Sequence, residues 1–130
     1  LAYVPRLCAP GNDGQYGSAV EHDVQAIQAV ARRIHFGALY VAESKFRQNK
    51  GVFRRLSDAR DRAGLLAQIE RPEVEQRILE RVAAKVDYVQ AQVNRLVRRI
   101  VDPEIVLELY RDTVIPLTKE GQIRYLLERT

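Results

Sequence analysis

The sequence SAVEHDVQAIQAVARRIHFGALYVAESKF, residues 18–46, decides the fold. Its first residue, Ser18, is a good helix N-cap, and Glu21 three positions later completes a capping box. Apolar residues then recur at steps of three and four, which is the spacing of one helix face. They are Val20, Val24, Ile27, Ala31 and Ile34. The stretch therefore predicts an amphipathic helix from Ser18 to about Phe46.

Glycine, serine and proline divide the sequence that follows into further helices. Gly51 breaks the pattern, and a short helical stretch is predicted over residues 52–55. Ser57 is the predicted cap of a piece that continues to Ile69. Pro72 suits the first turn of the next helix, which is predicted to extend toward Ile100.

The last third of the chain has the same helical character. Asp102 and Pro103 form another cap-and-proline start, and Pro116 then interrupts a helical pattern that resumes through Leu127. Because proline lacks a backbone N–H and clashes one turn back, a kink or a change of helix is expected at Pro116. No segment alternates between apolar and polar residues, so no sheet is predicted.

The predicted fold class is therefore all-α. An irregular arm rich in Gly and Pro occupies residues 1–17, and a bundle of long helices occupies residues 18–130. The long helices leave wide apolar faces, which usually need a further segment or a second protomer to cover them. We expect the bundle to be incomplete without one.

Composition limits the classes of protein that the chain can belong to. It is 46% hydrophobic and 29% charged, which is ordinary for a globular domain, and no stretch has the length and apolarity of a membrane span. The net charge of +4 fits an anionic partner, either nucleic acid or a small carboxylate, or simply a solvated surface. Aromatic residues do not alternate with the basic ones, which disfavours nucleic acid. The single cysteine, Cys8, is read as a structural or free thiol.

Four separated stretches match one known family in order and in rough spacing. They are GQYGSA at 14–19; RRIHFG at 32–37 with VAESKF at 41–46; VE at 74–75 with ILER at 78–81; and LY at 109–110 with VIPLTKE at 114–120 and YLL at 125–127. Together they resemble the C-terminal half of the eukaryotic, fungal-type chorismate mutases. The last stretch is the most specific. Members of that family are all-helical, usually homodimeric, and convert chorismate to prephenate.

The resemblance implies an intramolecular Claisen rearrangement of a dianion. That reaction needs no nucleophile, metal or redox cofactor, so no cofactor is predicted. The protein must hold both carboxylates so that the enolpyruvyl arm folds over the ring, which is a task of orientation. It must also stabilise the negative charge that develops on the ether oxygen.

Five residues are the predicted catalytic set, and their roles come from the resemblance. Arg33 would grip a carboxylate, Lys45 would donate to the ether oxygen and a carboxylate, and Glu75 would accept from the ring hydroxyl. Thr118 would help to bind a carboxylate, and Gln122 would lie one turn beyond it on the same face. Taken alone, each is an ordinary polar residue on a helix surface. His35 is assigned to packing, because the reaction needs no proton transfer.

Two departures from the family pattern concern this set. Fungal members usually carry Glu at the Gln122 position, and that Glu must be protonated to donate a hydrogen bond. An amide donates a hydrogen bond at any pH. Little loss of rate is therefore expected between roughly pH 5 and 8. Arg33 and Lys45 are twelve residues apart, one more than usual. On a straight helix they diverge by about 120°. We therefore expect a one-residue π-bulge near Gly37 to restore their common face, since a regular helix would leave only one cation in the pocket.

Other departures concern substrate binding and regulation. The family's site has a further Arg on an N-terminal helix, which residues 1–13 do not replace, so the polypeptide alone should bind chorismate weakly. Glu21 stands where relatives carry Thr, beside an effector turn at Gly17–Ser18, and predicts weak or absent regulation by tyrosine and tryptophan. Arg71 replaces a small polar residue near the pocket, and residues 87–99 are predicted helix where many relatives have a loop.

The expected partner is chorismate, together with a second copy of the chain or a cleaved N-terminal segment, and neither nucleic acid nor membrane. The alternative function is a catalytically weakened, secreted mutase-like effector that binds a host protein. A third reading, a basic nucleic-acid binder, is weaker. The compartment stays open between cytoplasmic and secreted.

Overall fold

The fold was described from a computed structural model, which covers Gly14 and residues 16–93 and 102–129. The helices are α1 (Tyr16–Gln48), α2 (Lys50–Asp58), α3 (Arg62–Ile69), α4 (Pro72–Val93), α5 (Pro103–Leu109) and α6 (Ile115–Glu128), with a π-helical turn at Tyr110–Val114 between the last two. The described residues contain no strand, as the sequence predicts. Residues 1–13 and 94–101, which include Cys8 and part of the predicted 87–99 helix, lie outside the description.

The core lies where α6 packs against the C-terminal half of α1, with α2 and α3 closing one end. Its buried residues come from all four helices: Ala42, Phe46, Phe53, Leu65, Ile69, Ile123 and Leu126. Gly121 allows the close approach of α6 to α1, because a Cβ placed there would lie 2.7 Å from the Cβ of Ala38. Two long helices are thereby fixed side by side, which positions the cavity between them.

An ion-paired cluster fixes the C-terminal end of α6 to α1. Glu43 accepts hydrogen bonds from Arg129, from Arg47 and, at 2.8 Å, from the Tyr125 hydroxyl. These hydrogen bonds, that of Arg129 foremost, hold the pKa of Glu43 far below its ordinary value. The Arg129 guanidinium also lies 3.9 Å above the ring of Phe46, a cation–π contact that ties the cluster to the core.

Helix starts agree with the sequence where the capping chemistry is local. The helix α4 begins at Pro72, and the Asp102 side chain accepts from the Glu104 N–H as the N-cap of α5. The prediction for Ser57 is wrong: Ser57 lies inside α2, its hydroxyl donates to the Leu126 carbonyl, and Asp61 caps α3 instead. Ser18 is likewise not the N-cap of α1, which begins two residues earlier; helix ends commonly differ by this much.

The interruption expected at Pro116 takes the form of the π-helical turn. The turn ends at Val114, and Pro116 stands in the first turn of α6. Proline cannot donate the hydrogen bond that the carbonyl four residues earlier would accept, and its ring crowds that carbonyl. A wider π turn just before the proline relieves the crowding, so the helix changes type rather than ending.

The first half of α1 extends beyond this core. Val20 and Ile27 are each 68% exposed and Val24 is 48% exposed, so the apolar face predicted from the sequence has no cover among the described residues. These side chains continue the face that carries Ala42 and Phe46 into the core, which explains their apolar character. None of the described helices combines the length and apolarity needed to cross a membrane.

Candidate active site

A cavity of about 200 Å³ lies between α1, α4 and α6. All five residues of the predicted catalytic set line it. They come from three separate helices: Arg33 and Lys45 from α1, Glu75 from α4, and Thr118 and Gln122 from α6. The fold therefore brings the predicted residues around one space, while their individual roles remain predictions.

The helix α1 forms one wall of the cavity and has no π-bulge near Gly37. The helix is α-helical from Tyr16 to Gln48, so the predicted π-bulge near Gly37 is wrong. The predicted consequence is also wrong, because Arg33 and Lys45 both line the cavity. They stand at the two ends of a series at four-residue steps, with Gly37 and Val41 between them. Residues in such a series turn around the helix axis by about 40° per step. The long side chains of Arg33 and Lys45 span the angle that this leaves between them.

Gly37 provides the space that Arg33 needs. A Cβ added at Gly37 would lie 2.7 Å from Nη1 of Arg33 and 2.9 Å from Cγ2 of Thr118. The guanidinium thus crosses the helix surface over Gly37 and comes close to α6. The length of the Arg33 side chain and the glycine one turn later therefore let Arg33 reach the cavity although it lies twelve residues from Lys45.

Lys45 is half-buried and its ammonium is fixed by the backbone. Nζ donates to the carbonyl of Ile69, the last residue of α3. Burial lowers the pKa of Lys45, the positive charge of Arg71 lowers it further, and Glu75 acts in the opposite direction. The cavity therefore contains an ammonium in a partly desolvated environment, where it interacts strongly with an anion.

Glu75 lies in an ion-paired group with a cation that the sequence analysis did not select. Nζ of Lys119 lies 3.0 Å from Glu75 and 2.9 Å from Glu70. Its hydrogen bond to Glu70 is the main cause of the raised pKa of Lys119. Lys119 lines the cavity beside Thr118 and belongs to the VIPLTKE stretch, so its position next to a predicted site residue was the available signal.

Gln122 is the buried polar residue of the site. It is 6% exposed, and its Nε2 donates to the carbonyl of Gly37 at 3.0 Å. That bond uses one of the two N–H groups of the amide, so one donor remains. Oε1 is buried and has no partner among the described residues. Thr118 is oriented by a hydrogen bond from its hydroxyl to the Val114 carbonyl at 2.6 Å.

The charges around the cavity are strongly unbalanced. Among the described residues, the lining contains four cations, Arg33, Lys45, Arg71 and Lys119, and one carboxylate, that of Glu75. The other lining residues are mainly aliphatic, which keeps the dielectric low and strengthens the field of the cations. This arrangement is suited to a small ligand that carries two negative charges.

Two basic residues near Arg33 lie outside the site. Arg32 does not line the cavity, in agreement with its position on the helix. His35 is exposed and contacts the edge of the Phe36 ring, with centroids 6.1 Å apart, so it is not positioned to act on a ligand. The packing predicted for His35 amounts to this one ring contact on the surface.

Comparison with known proteins shows what this helical chain is similar to. No family model matches the chain. The chain is 36% identical to the chorismate mutase of Saccharomyces cerevisiae over 92% of its own length and 47% of that protein, and 39% identical to chorismate mutase 1 of Petunia hybrida over 97% and 41%. The crystal structure of the Candida albicans chorismate mutase, a complex with L-Trp, superposes with a TM-score of 0.86 at 38% identity, covering 96% of this chain and 48% of that one.

The all-helical fold is like that of these chorismate mutases. The chain is similar to the eukaryotic chorismate mutases, as the four sequence stretches predict. It spans about half the length of the curated relatives that it matches, which agrees with the predicted correspondence to their C-terminal half. The rival reading, a host-directed effector, has no support in these comparisons.

Proposed function

We propose that this chain carries a chorismate mutase active site and converts chorismate to prephenate in the cavity between α1, α4 and α6. One observation carries the proposal: four cations and a buried amide surround a single small space together with one carboxylate. Chorismate is a dianion, and its two charges would offset the positive excess. A volume of about 200 Å³ also fits a small metabolite better than a drug-sized ligand.

Positioning is the first contribution of these residues. In the rearrangement the ether C–O bond breaks while a C–C bond forms between the enolpyruvyl arm and the ring, with no proton or electron gained or lost. The reacting ends must therefore be held together. The Arg33 guanidinium offers a planar pair of donors to one carboxylate. Thr118 lies beside it across Gly37, and its hydroxyl would bind the same carboxylate by turning its O–H away from the Val114 carbonyl.

Stabilisation of the developing charge is the second contribution. Lys45 and the remaining N–H of Gln122 are the donors assigned to the ether oxygen. Both are fixed before any ligand arrives, Lys45 by the Ile69 carbonyl and Gln122 by the Gly37 carbonyl. Donors that need no rearrangement during the reaction are the most effective ones. Glu75 keeps one carboxylate oxygen for the ring hydroxyl while Lys119 holds the other.

The test is the conversion of chorismate by the purified chain, followed by the loss of the diene absorbance and by chromatography of prephenate. Lys45→Gln is expected to lower kcat by about 100-fold or more, the usual effect of removing one transition-state donor. Lys85→Gln is the matched control, because Lys85 is exposed on α4 and does not line the cavity. Absence of prephenate with the unaltered chain, or equal rates for the two variants, would refute the proposal.

A second polypeptide is proposed to cover the exposed face at the start of α1. The support is the apolar row formed by Val20, Val24 and Ile27, three large side chains left at the surface. The occupant is a second copy of the chain or a cleaved N-terminal segment. Light scattering of the purified protein, with mass spectrometry of its components, distinguishes the two, and a Val24→Glu, Ile27→Glu variant should lose either one. A monomer of this single chain would contradict the proposal.

Regulation by aromatic amino acids is proposed to be weak. The Candida albicans structure holds L-Trp, whereas here Glu21, at the start of α1, adds an exposed carboxylate that accepts only from Gln25 among the described residues. A carboxylate near an effector's carboxylate would repel it. Tyrosine and tryptophan should therefore leave the rate nearly unchanged, and a several-fold response of the unaltered chain to either would contradict this.

A further inference from the structure

Arg71 is a cavity cation to which the proposed function assigns no role. We propose that Arg71 binds one carboxylate of the dianionic substrate while Arg33 binds the other, so that each carboxylate meets its own guanidinium. The inference rests on the proposed function, since it names a binding residue for the same ligand. It is supported by the position of Arg71 in the cavity lining, by the lack of a carboxylate partner for it within residues 16–93 and 102–129, and by the cavity that it shares with Lys45.

The backbone of Arg71 is fixed at the entrance to α4. Its carbonyl accepts from the N–H groups of Val74 at 2.9 Å and Glu75 at 3.0 Å, which makes it the residue that caps the helix. Its side chain leaves this anchored point and lines the cavity. A long side chain on a fixed backbone loses less freedom on binding than one on a mobile loop.

No carboxylate in the described part of the chain pairs with the guanidinium of Arg71. Among the described residues its one hydrogen bond runs from Nη1 to the Glu70 carbonyl at 2.7 Å, and it forms no ion pair. The carboxylates of Glu70 and Glu75 each pair with Lys119 through one oxygen. Most of the five N–H donors of Arg71 are therefore available to a ligand.

The second cation near Arg71 makes the space between them attractive to an anion. Lys45 is directed to the Ile69 carbonyl on the same side of the cavity, and the charge of Arg71 adds to burial in lowering the pKa of Lys45. Two like charges held close together are unfavourable until an anion lies near both. A substrate carboxylate would relieve this repulsion, whereas a merely solvated arginine would have no effect on ligand affinity.

The experiment compares Arg71→Gln with Arg77→Gln in the full chain. Arg77 is an exposed residue of α4, the helix that follows Arg71, and lies outside the cavity, so its substitution removes the same charge without touching the site. The affinity for chorismate is measured from its KM, and isothermal titration calorimetry with a bicyclic dicarboxylate that mimics the transition state measures binding without turnover. Arg71→Gln should weaken binding about 10-fold or more, the loss expected for one hydrogen-bonded charge. Arg77→Gln should bind as the unaltered chain does.

The two monomethyl esters of chorismate test for direct contact. If Arg71 holds one carboxylate, the effect of Arg71→Gln should shrink toward onefold for the ester that lacks that charge and persist for the other. Arg71→Lys should recover part of the affinity, because an ammonium keeps the charge but not the two-pronged geometry. Matching thermal unfolding of the variants is expected, since the side chain is exposed.

The possible failures are distinguishable. If the unaltered chain turns over chorismate but Arg71→Gln binds it equally well, this inference is overturned and the proposed function stands. Equal losses for Arg71→Gln and Arg77→Gln, or the same loss with both esters, would show a general charge effect and also overturn it. If the unaltered chain neither binds nor converts chorismate, the proposed function fails, and this inference fails with it.

Discussion

Replacement of Gly37 by alanine tests the geometry of the cavity with a single methyl group. The added Cβ would stand 2.7 Å from Nη1 of Arg33 and 2.9 Å from Cγ2 of Thr118, both closer than van der Waals contact allows. The guanidinium is the far end of a flexible chain and would swing away. Thr118 is short, β-branched and tied to the Val114 carbonyl, so it has little freedom to move.

Two opposing effects decide the stability of Gly37→Ala. Alanine in the middle of a helix stabilises by about 1 kcal/mol relative to glycine, while overpacking costs roughly 1–3 kcal/mol. The result should be a stability that is unchanged or lower by up to about 2 kcal/mol. Binding should change more, because the proposed contact of Arg33 with a carboxylate would be lost, at a cost of about 1.5–3 kcal/mol, or roughly 10- to 150-fold in affinity.

The assay combines steady-state turnover of chorismate with thermal unfolding. Gly51→Ala is the matched control, because a Cβ at that exposed glycine meets no atom within 4 Å. We expect Gly37→Ala to raise KM at least 10-fold and Gly51→Ala to leave KM unchanged. A Gly37→Ala variant with unaltered KM and kcat would show that Arg33 does not need the space over Gly37, and the reasoning would be refuted.

Three further predictions concern titratable groups. Gln122→Glu should make a nearly flat rate profile fall as pH rises through the pKa of the new carboxyl, because only the protonated acid donates; a profile that stays flat would contradict the donor role. Burial lowers the pKa of Lys45, so the alkaline fall in kcat should begin at a lower pH than it would for a lysine with an ordinary pKa. Lys45→Arg should remove that fall. If the fall persists in Lys45→Arg, a group other than Lys45 causes it. Glu43 has a pKa well below its usual range because of its hydrogen bond with Arg129, so its ionised form stabilises the fold above the ordinary Glu pKa and this contribution disappears as pH falls. Glu43→Gln should accordingly lower Tm at pH 7 and differ less from the unaltered chain near pH 3. Glu128→Gln, at an exposed position, is the control and should change Tm little. Equal Tm values for the two variants at neutral pH would contradict the stabilising role of the Glu43 cluster.

Local chemistry made some of the fold predictable from sequence. Pro72 and Asp102 mark real helix starts because a proline in the first turn and an Asx cap act within three residues. Ser57 misled because its hydroxyl donates to the Leu126 carbonyl, a partner 69 residues away that no local pattern reveals. Tertiary contacts thus redirected a residue whose local preference was clear.

The candidate site was likewise predictable in part, and the rest depended on tertiary contacts. The resemblance collected five residues that share one cavity, but the argument from helix angles alone failed for Arg33 and Lys45. It treated the side chains as points on a cylinder and ignored both their length and the open surface at Gly37. Lys119 was missed because its partners, Glu70 and Glu75, flank the start of α4 and are distant in sequence.

The most direct measurement is a crystal structure of the chain with a bicyclic dicarboxylate that mimics the rearrangement's transition state. We expect the ligand to occupy the cavity between α1, α4 and α6, with its ether oxygen about 3 Å from Nζ of Lys45 and Nε2 of Gln122. Its carboxylates should lie against the guanidinium groups of Arg33 and Arg71. An analogue bound elsewhere, or bound in the cavity with its ether oxygen away from both donors, would contradict the central claim.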